Sequence, residues 1–157
     1  MIRLVVLAPG VPVHAAAIAW CDDYRGRINR LAQFERKKVR PVRRTRAGPD
    51  PQACRRESAA LVQAIEPGAF VVVLDVGGIS IDCDQLCGKL QKTGQIAGRT
   101  IWFVLGGPDG FDQTVRARAN EAWSLSPLTL PHELAEVVLM EQLYRALTRL
   151  HGLPYHR

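Results

Sequence analysis

No two cysteines in this sequence stand in a Cys-x-x-Cys pair. Cys21, Cys54 and the Cys83/Cys87 couple are scattered, and a C-x-x-x-C spacing with no histidine beside it is a poor zinc site. No metal is therefore expected, and the thiols read as reduced ones of a cytoplasmic protein. Nor does any apolar run approach the roughly 20 residues that span a bilayer, so no membrane association is expected. The opening MIRLVVLAPG is too short for a secretory signal and lacks a cleavage site; it reads as a first strand. The motifs of covalent catalysis are missing as well: no G-x-S-x-G elbow, no Cys–His spacing and no paired carboxylates. Neither a Walker loop nor G-x-G-x-x-G is present.

What is present is an ordinary globular composition. With 157 residues, 47% hydrophobic and 23% charged, the chain fits one domain with a real core. The formal net charge is +6, a balance that suits a polyanionic partner. Much of the positive charge sits in one segment, Arg36, Lys37, Lys38, Arg40, Arg43, Arg44 and Arg46, with Arg55 and Arg56 soon after. Two readings of this segment stand side by side: a solvated loop, or a patch that contacts phosphates and releases counterions. The excess of arginine favours nucleic acid, because a guanidinium fork matches phosphate.

Three short runs read as buried strands: Ile2–Leu7, Phe70–Val76 and Thr100–Leu105. They are continuously apolar instead of alternating, the pattern of a parallel sheet covered on both faces. A fourth run, Phe34–Val42, is so charged that it belongs at an edge if it is a strand at all. Between these runs lie helical stretches: His14 to about Leu31, Pro51–Ile65 behind Asp50, Asp82–Leu90, Gln113–Trp123 capped by Asp112, and Glu133–Leu150. The last carries two apolar stripes, one on Leu139, Leu143, Ala146, Leu147 and Leu150, the other on Leu134, Val137 and Val138. Such a helix is covered on more than one side, by its own core or by a second subunit. The alternation of elements gives one α/β domain spanning residues 1–157, with Arg43–Asp50 as its most flexible loop.

Ligands of open α/β sheets bind beyond the carboxyl ends of the strands, and three segments fall there. FVLGGPDG (Phe103–Gly110) has three glycines that let backbone approach a ligand. VVLDVGG (Val72–Gly78) brings Leu74 and Asp75 to the same rim. SLSPLTLPHE (Ser124–Glu133) joins two helices, yet alternates leucine with serine and threonine as a short buried strand would. Main-chain groups on one side and leucines on the other suit a flat heterocycle; a buried connection without ligand is the equal alternative. Further candidates lie near the C-terminus, where His132, His151 and the tail Tyr155, His156 and Arg157 offer groups that stack on or hydrogen-bond a base.

GGPDG, SLSPLTLPHELAEVVLMEQLYRAL and the terminal PYHR together resemble the RlmH family of SPOUT-class RNA methyltransferases, over the full length and order of the chain. The resemblance implies a homodimeric α/β fold with a C-terminal trefoil knot and S-adenosylmethionine held in the knot. It implies methyl transfer to N3 of a pseudouridine in helix 69 of 23S rRNA, on the ribosome. Position by position, it assigns cofactor contacts to Leu74, Gly106, Leu125, Ser126, Pro127, Leu128, Thr129 and Leu130. His132, Arg145, Tyr155 and His156 become unranked catalytic candidates, and the basic segment with Arg157 becomes the RNA contact. A different RNA target, or a non-catalytic ribosome-binding role, are the alternatives. Three positions depart from the family pattern. Glu136 stands where arginine is usual, Gly77–Gly78 where Gly-Lys is usual, and Glu57–Ser58 where Glu-Gly is usual. Charge reversal at Glu136 is the most serious of these for an RNA enzyme.

Overall fold

The computed structural model describes residues 1–45, 47–96 and 98–155. Five parallel strands form one sheet: β1 (Arg3–Pro9), β2 (Gln33–Val39), β3 (Phe70–Ser80), β4 (Thr100–Leu105) and β5 (Glu121–Ser124). Their order is β2-β1-β4-β3-β5. β2 is thus an edge strand, as its charge predicts, and β1, β4 and the first half of β3 are the buried ones. The helices are α1 (Ala15–Ile28), α2 (Pro51–Ala64), α3 (Cys83–Gly94), α4 (Gln113–Arg118) and α5 (His132–Leu150).

Both faces of the sheet are covered. On one, α1, α3 and α5 pack over Leu4, Val6, Val72, Ile101 and Phe103. On the other, α2 and α4 cover Val5, Leu7, Val71, Val73, Trp102 and Val104. Successive strand residues therefore enter opposite cores, which is why these strands read as unbroken apolar runs. The helix starts follow their sequence signals. Asp50 accepts from the amides of Gln52 and Ala53, and Asp82 shares a capping box with Gln85. Asp112 takes the amides of Thr114 and Val115.

One expected helix is cut short. α4 ends at Arg118, and Glu121–Trp123, expected as the end of that helix, fall in strand β5. Asn120 makes the switch: its amide donates to the Val71 carbonyl, and its side-chain oxygen accepts from the Val71 amide. From there the chain advances with a strand's period of two. Glu121 and Trp123 share a side, where the Trp123 indole donates to Glu121 at 2.6 Å, and Trp123 packs on Phe103. Burying Trp123 beside the sheet outweighed the local helical pattern. β3 is correspondingly longer than expected, since its second half continues the pairing with β5 after a register shift between Leu74 and Ile79.

α5 buries Glu136, Leu139, Met140, Leu143, Ala146, Leu147 and Thr148. This is the first of its two apolar stripes; each leucine contributes roughly 1.5–3 kcal/mol by leaving water. The second stripe stays largely uncovered within the chain: Leu134 is 48% exposed and Val137 and Val138 are half-buried. Among the described residues no helix is long and apolar enough to cross a membrane.

Candidate active site

Leu105, Leu74 and Trp123 are register partners across β4, β3 and β5. The residues that follow each of them consequently emerge side by side at the carboxyl end of the sheet. This is the physical reason the three rim segments meet. Together they enclose a cleft of about 560 Å³, lined by Leu74, Asp75, Val76, Leu105 to Pro108, Gly110 and Phe111 on one side. Ser124 to Ser126, Leu128 to His132 and Ala135 close the other. Of the expected cofactor contacts only Pro127 lies outside the lining.

The 124–131 segment is not the short buried strand its alternation suggests. Only Ser124 belongs to β5, Leu128 is 73% exposed, and Leu125 and Leu130 are half-buried. Its shape comes from serine hydroxyls. The Ser124 hydroxyl donates to the Ser126 carbonyl at 2.9 Å, and the Ser126 hydroxyl accepts the Leu128 amide at 3.0 Å. These local bonds replace ladder partners.

The opposite wall, Gly106–Gly110, is a tight loop. Gly107 and Gly110 form an isolated bridge, with the Gly110 amide donating to the Gly107 carbonyl. A Cβ on Gly106 would stand 3.0 Å from the backbone C and O of Gly110, and one on Gly107 would collide with the Glu57 carboxylate. That carboxylate is almost fully buried. It accepts the Val42 amide at 2.9 Å and both terminal nitrogens of Arg44, at 2.7 and 3.0 Å. The Arg44 Nε donates to Asp109 at 2.8 Å, and Asp109 also takes the Asp50 amide. Ser58 accepts the Asp112 amide on its hydroxyl at 3.0 Å, so Glu57–Ser58 serves the loop with both side chains. The sequence signal for this network was the second glycine of GGPDG, whose close approach had no visible partner.

The Asp109 carboxyl is held below its ordinary value of 3.8, first by Arg44 and then by the Asp50 amide. A depressed folded pKa contributes stability above the unfolded value that is lost as pH falls through the folded one. Below about pH 4 the thermal midpoint should therefore fall more steeply for this protein than for its Asp109→Asn variant, which has no such proton to gain. Parallel midpoint-versus-pH curves would remove Asp109 from the acid response.

The catalytic candidates do not converge. His132, at the start of α5, borders the cleft. Tyr155 follows the far end of α5 but folds back along it, to roughly 14 Å of helix rise from His132. There its hydroxyl meets Tyr24 and Glu141 at 3.3 Å, and its ring packs edge-on against Tyr144. Burial, then the Tyr24 hydroxyl and the Glu141 carboxylate, push its phenol well above the usual range, so it stays protonated at neutral pH. Arg145 donates to Glu141 at 2.6 Å and lies over the Tyr155 ring. His156, Arg157 and Arg46 lie outside the described residues.

The basic segment divides in two. Lys38, Arg40 and Arg43 are exposed, whereas Arg44 is turned inward as described. Lys37 lies over the Trp102 ring between Glu35 and Glu66. Arg36 is internal as well: its guanidinium forks onto Glu136 at 2.8 and 2.9 Å and donates to the Gly10 carbonyl. Glu136 is only 4% exposed. The reversed charge is therefore half of a buried ion pair. Glu136→Arg, which restores the family's usual residue, should destabilise the fold by about 3–5 kcal/mol by leaving two buried cations together. Adding Arg36→Glu should recover most of the loss, read as denaturation midpoints in a double-mutant cycle.

Comparison with known proteins agrees with this geometry. A family model described as predicted SPOUT methyltransferase matches residues 2–156. Proteins named ribosomal RNA large subunit methyltransferase H are similar along the chain. That of Sorangium cellulosum is 36% identical over 153 residues, covering 98% of each chain. That of Xylella fastidiosa is 34% identical over 157 residues, covering 100% of this chain and 99% of its own. That of Hahella chejuensis is 44% identical over 118 residues, covering 74% of this chain and 75% of its own.

Proposed function

The chain belongs to the SPOUT methyltransferase family, and from that premise we propose that it methylates N3 of a pseudouridine in helix 69 of 23S rRNA. The single observation that carries this reading is the meeting of the three rim segments in one cleft, in a chain similar over its whole length to the large-subunit methyltransferases. S-adenosylmethionine is the cofactor of the family, and its activated methyl group is what it supplies.

The residues present fit such a molecule. The cleft volume of about 560 Å³ is within the roughly 300–1,000 Å³ usual for small-molecule sites. Leu74, Leu105, Leu125, Leu130 and Ala135 give apolar walls for a flat base, and Gly106–Gly107 offer main-chain groups without side chains in front of them. The knot that the family implies wraps this part of the chain. His132 at the mouth of the cleft is placed to orient an acceptor or take its imide proton. Positioning supplies most of the rate in such an in-line transfer, which needs no enzyme nucleophile. Exposed Lys38, Arg40 and Arg43 would hold the phosphates of the rRNA.

The working unit is a homodimer of single-domain chains in the cytoplasm. Its support is the half-exposed second stripe of α5. Two chains packed through that stripe would cover Leu134, Val137 and Val138. The test is mass spectrometry of the helix 69 fragment of 23S rRNA, from cells with and without the gene and after treating the unmodified ribosomes with purified protein. A methyl-pseudouridine that disappears on deletion and returns with the protein is expected. Its persistence in the deletion strain would rule out this target, and methylation elsewhere would point to another RNA.

A further inference from the structure

We propose that Arg44 is a positioning residue whose one guanidinium shapes both the Gly106–Gly110 cofactor loop and the basic segment that faces RNA, so that neither substrate binds normally without it. The proposal rests on the methyltransferase reading above.

Arg44 belongs by sequence to the cationic cluster, but its side chain is only 16% exposed and every bond it makes is internal. Its terminal nitrogens grip Glu57, which in turn fills the space beside Gly107. Its Nε holds Asp109, and Asp109 is the next residue but one after Gly107, inside the bridged loop. In the other direction, Arg44 Nη1 donates to the Val42 carbonyl at 3.0 Å, while Glu57 accepts the Val42 amide. The backbone of Val42 is thereby clamped through both of its polar groups. Exposed Arg43 lies between the two clamped residues and exposed Arg40 just before them. A second tie, from the Asp50 amide to Asp109, closes the far end of the segment. The RNA-facing cations thus project from a stretch whose course is set by the same ion pairs that set the cofactor loop. A lysine keeps the charge but lacks the fork, so it cannot hold Glu57 and Asp109 together.

Steady-state methylation of unmodified ribosomes by Arg44→Lys, Asp109→Ala and Arg43→Ala tests this. Arg44→Lys is expected to raise KM for S-adenosylmethionine and KM for ribosomes each by about tenfold, with kcat at saturation of both within about threefold. Asp109→Ala, which leaves the Arg44–Glu57 fork in place, should raise the cofactor KM more than the ribosome KM. Arg43→Ala should raise the ribosome KM alone. A rise in ribosome KM alone for Arg44→Lys would make Arg44 a plain RNA contact and overturn the proposal. A fall in kcat with both KM values unchanged would make it a general stabilising residue and also overturn it. If Arg44→Lys does not fold, an Asp109→Ala variant with both KM values unchanged would decide against it. Unchanged variants beside an active wild type sink this inference alone, whereas a wild type that neither binds S-adenosylmethionine in calorimetry nor methylates ribosomes removes the reading beneath it.

Discussion

Gly106→Val should abolish cofactor binding and leave the fold standing. The added Cβ alone would lie 3.0–3.1 Å from three backbone atoms of Gly110, and backbone held by the Gly107–Gly110 bridge has little room to yield. Two further methyls on a stiff β-branched side chain make the overlap worse. Gly106 has no positive φ, so the conflict is one of space between two walls of the loop and not of dihedral strain. The loop must open, and with it the wall of the cleft that carries Gly106, Gly107 and Gly110. A loss of at least about 100-fold in affinity, about 2.7 kcal/mol, is expected by calorimetry with S-adenosylmethionine. The five strands lie outside the displaced turn, so circular dichroism and the cooperative melt should be retained. Affinity within a few-fold of wild type would mean that the loop can shift without consequence for the ligand.

Glu57→Ala should destabilise the fold strongly. Glu57 is 1% exposed, and its loss leaves the Arg44 guanidinium only Asp109 and the Val42 carbonyl, leaves the Val42 amide without its acceptor and opens a hole beside Gly107. Removing one partner of a buried pair costs about 3–5 kcal/mol, a large share of the roughly 5–15 kcal/mol that holds a domain folded. The exposed pair Arg25–Asp22, with both side chains more than half accessible, sets the contrast: breaking it should change stability by about 1 kcal/mol or less. Urea midpoints compare the two directly, at unchanged slope. A Glu57→Ala midpoint no lower than that of Asp22→Ala would show that the fork adds nothing net.

The parts of the fold that the sequence made legible share one property: the signal was local. Thr100–Leu105 was readable because all six residues enter one core or the other. Asp50 and Asp112 were readable as helix starts because a cap acts within three residues, whereas Asp82, expected as the first residue of its helix, is the cap. β5 was not, because Glu121–Ser124 is a strand only by virtue of Val72, Val73 and Leu74 alongside it. The site behaved alike. Its three segments each carried a visible backbone signature, glycines in one and leucine alternation in another, and the resemblance tied them to a ligand. The alternation of Leu125, Leu128 and Leu130 nevertheless misled as to burial, since serine hydroxyls and not strand partners shape that turn.

Charge was where sequence alone said least. A list of cations does not tell which face water: Arg36 and Arg44 sit in the same cluster as Arg40 and Arg43, yet the first two are consumed inside the protein. Glu136, 100 residues from Arg36, read as a reversed charge on an RNA-binding surface and is instead that arginine's buried partner. By itself the sequence determined an α/β chain with a covered parallel sheet, the strand ends that line the cleft, and the family. Only the tertiary structure decided which ionic groups are spent holding the cleft together and which stay exposed. Side-chain pairing across such separations depends on where the sheet places each strand end, and no local pattern encodes that distance.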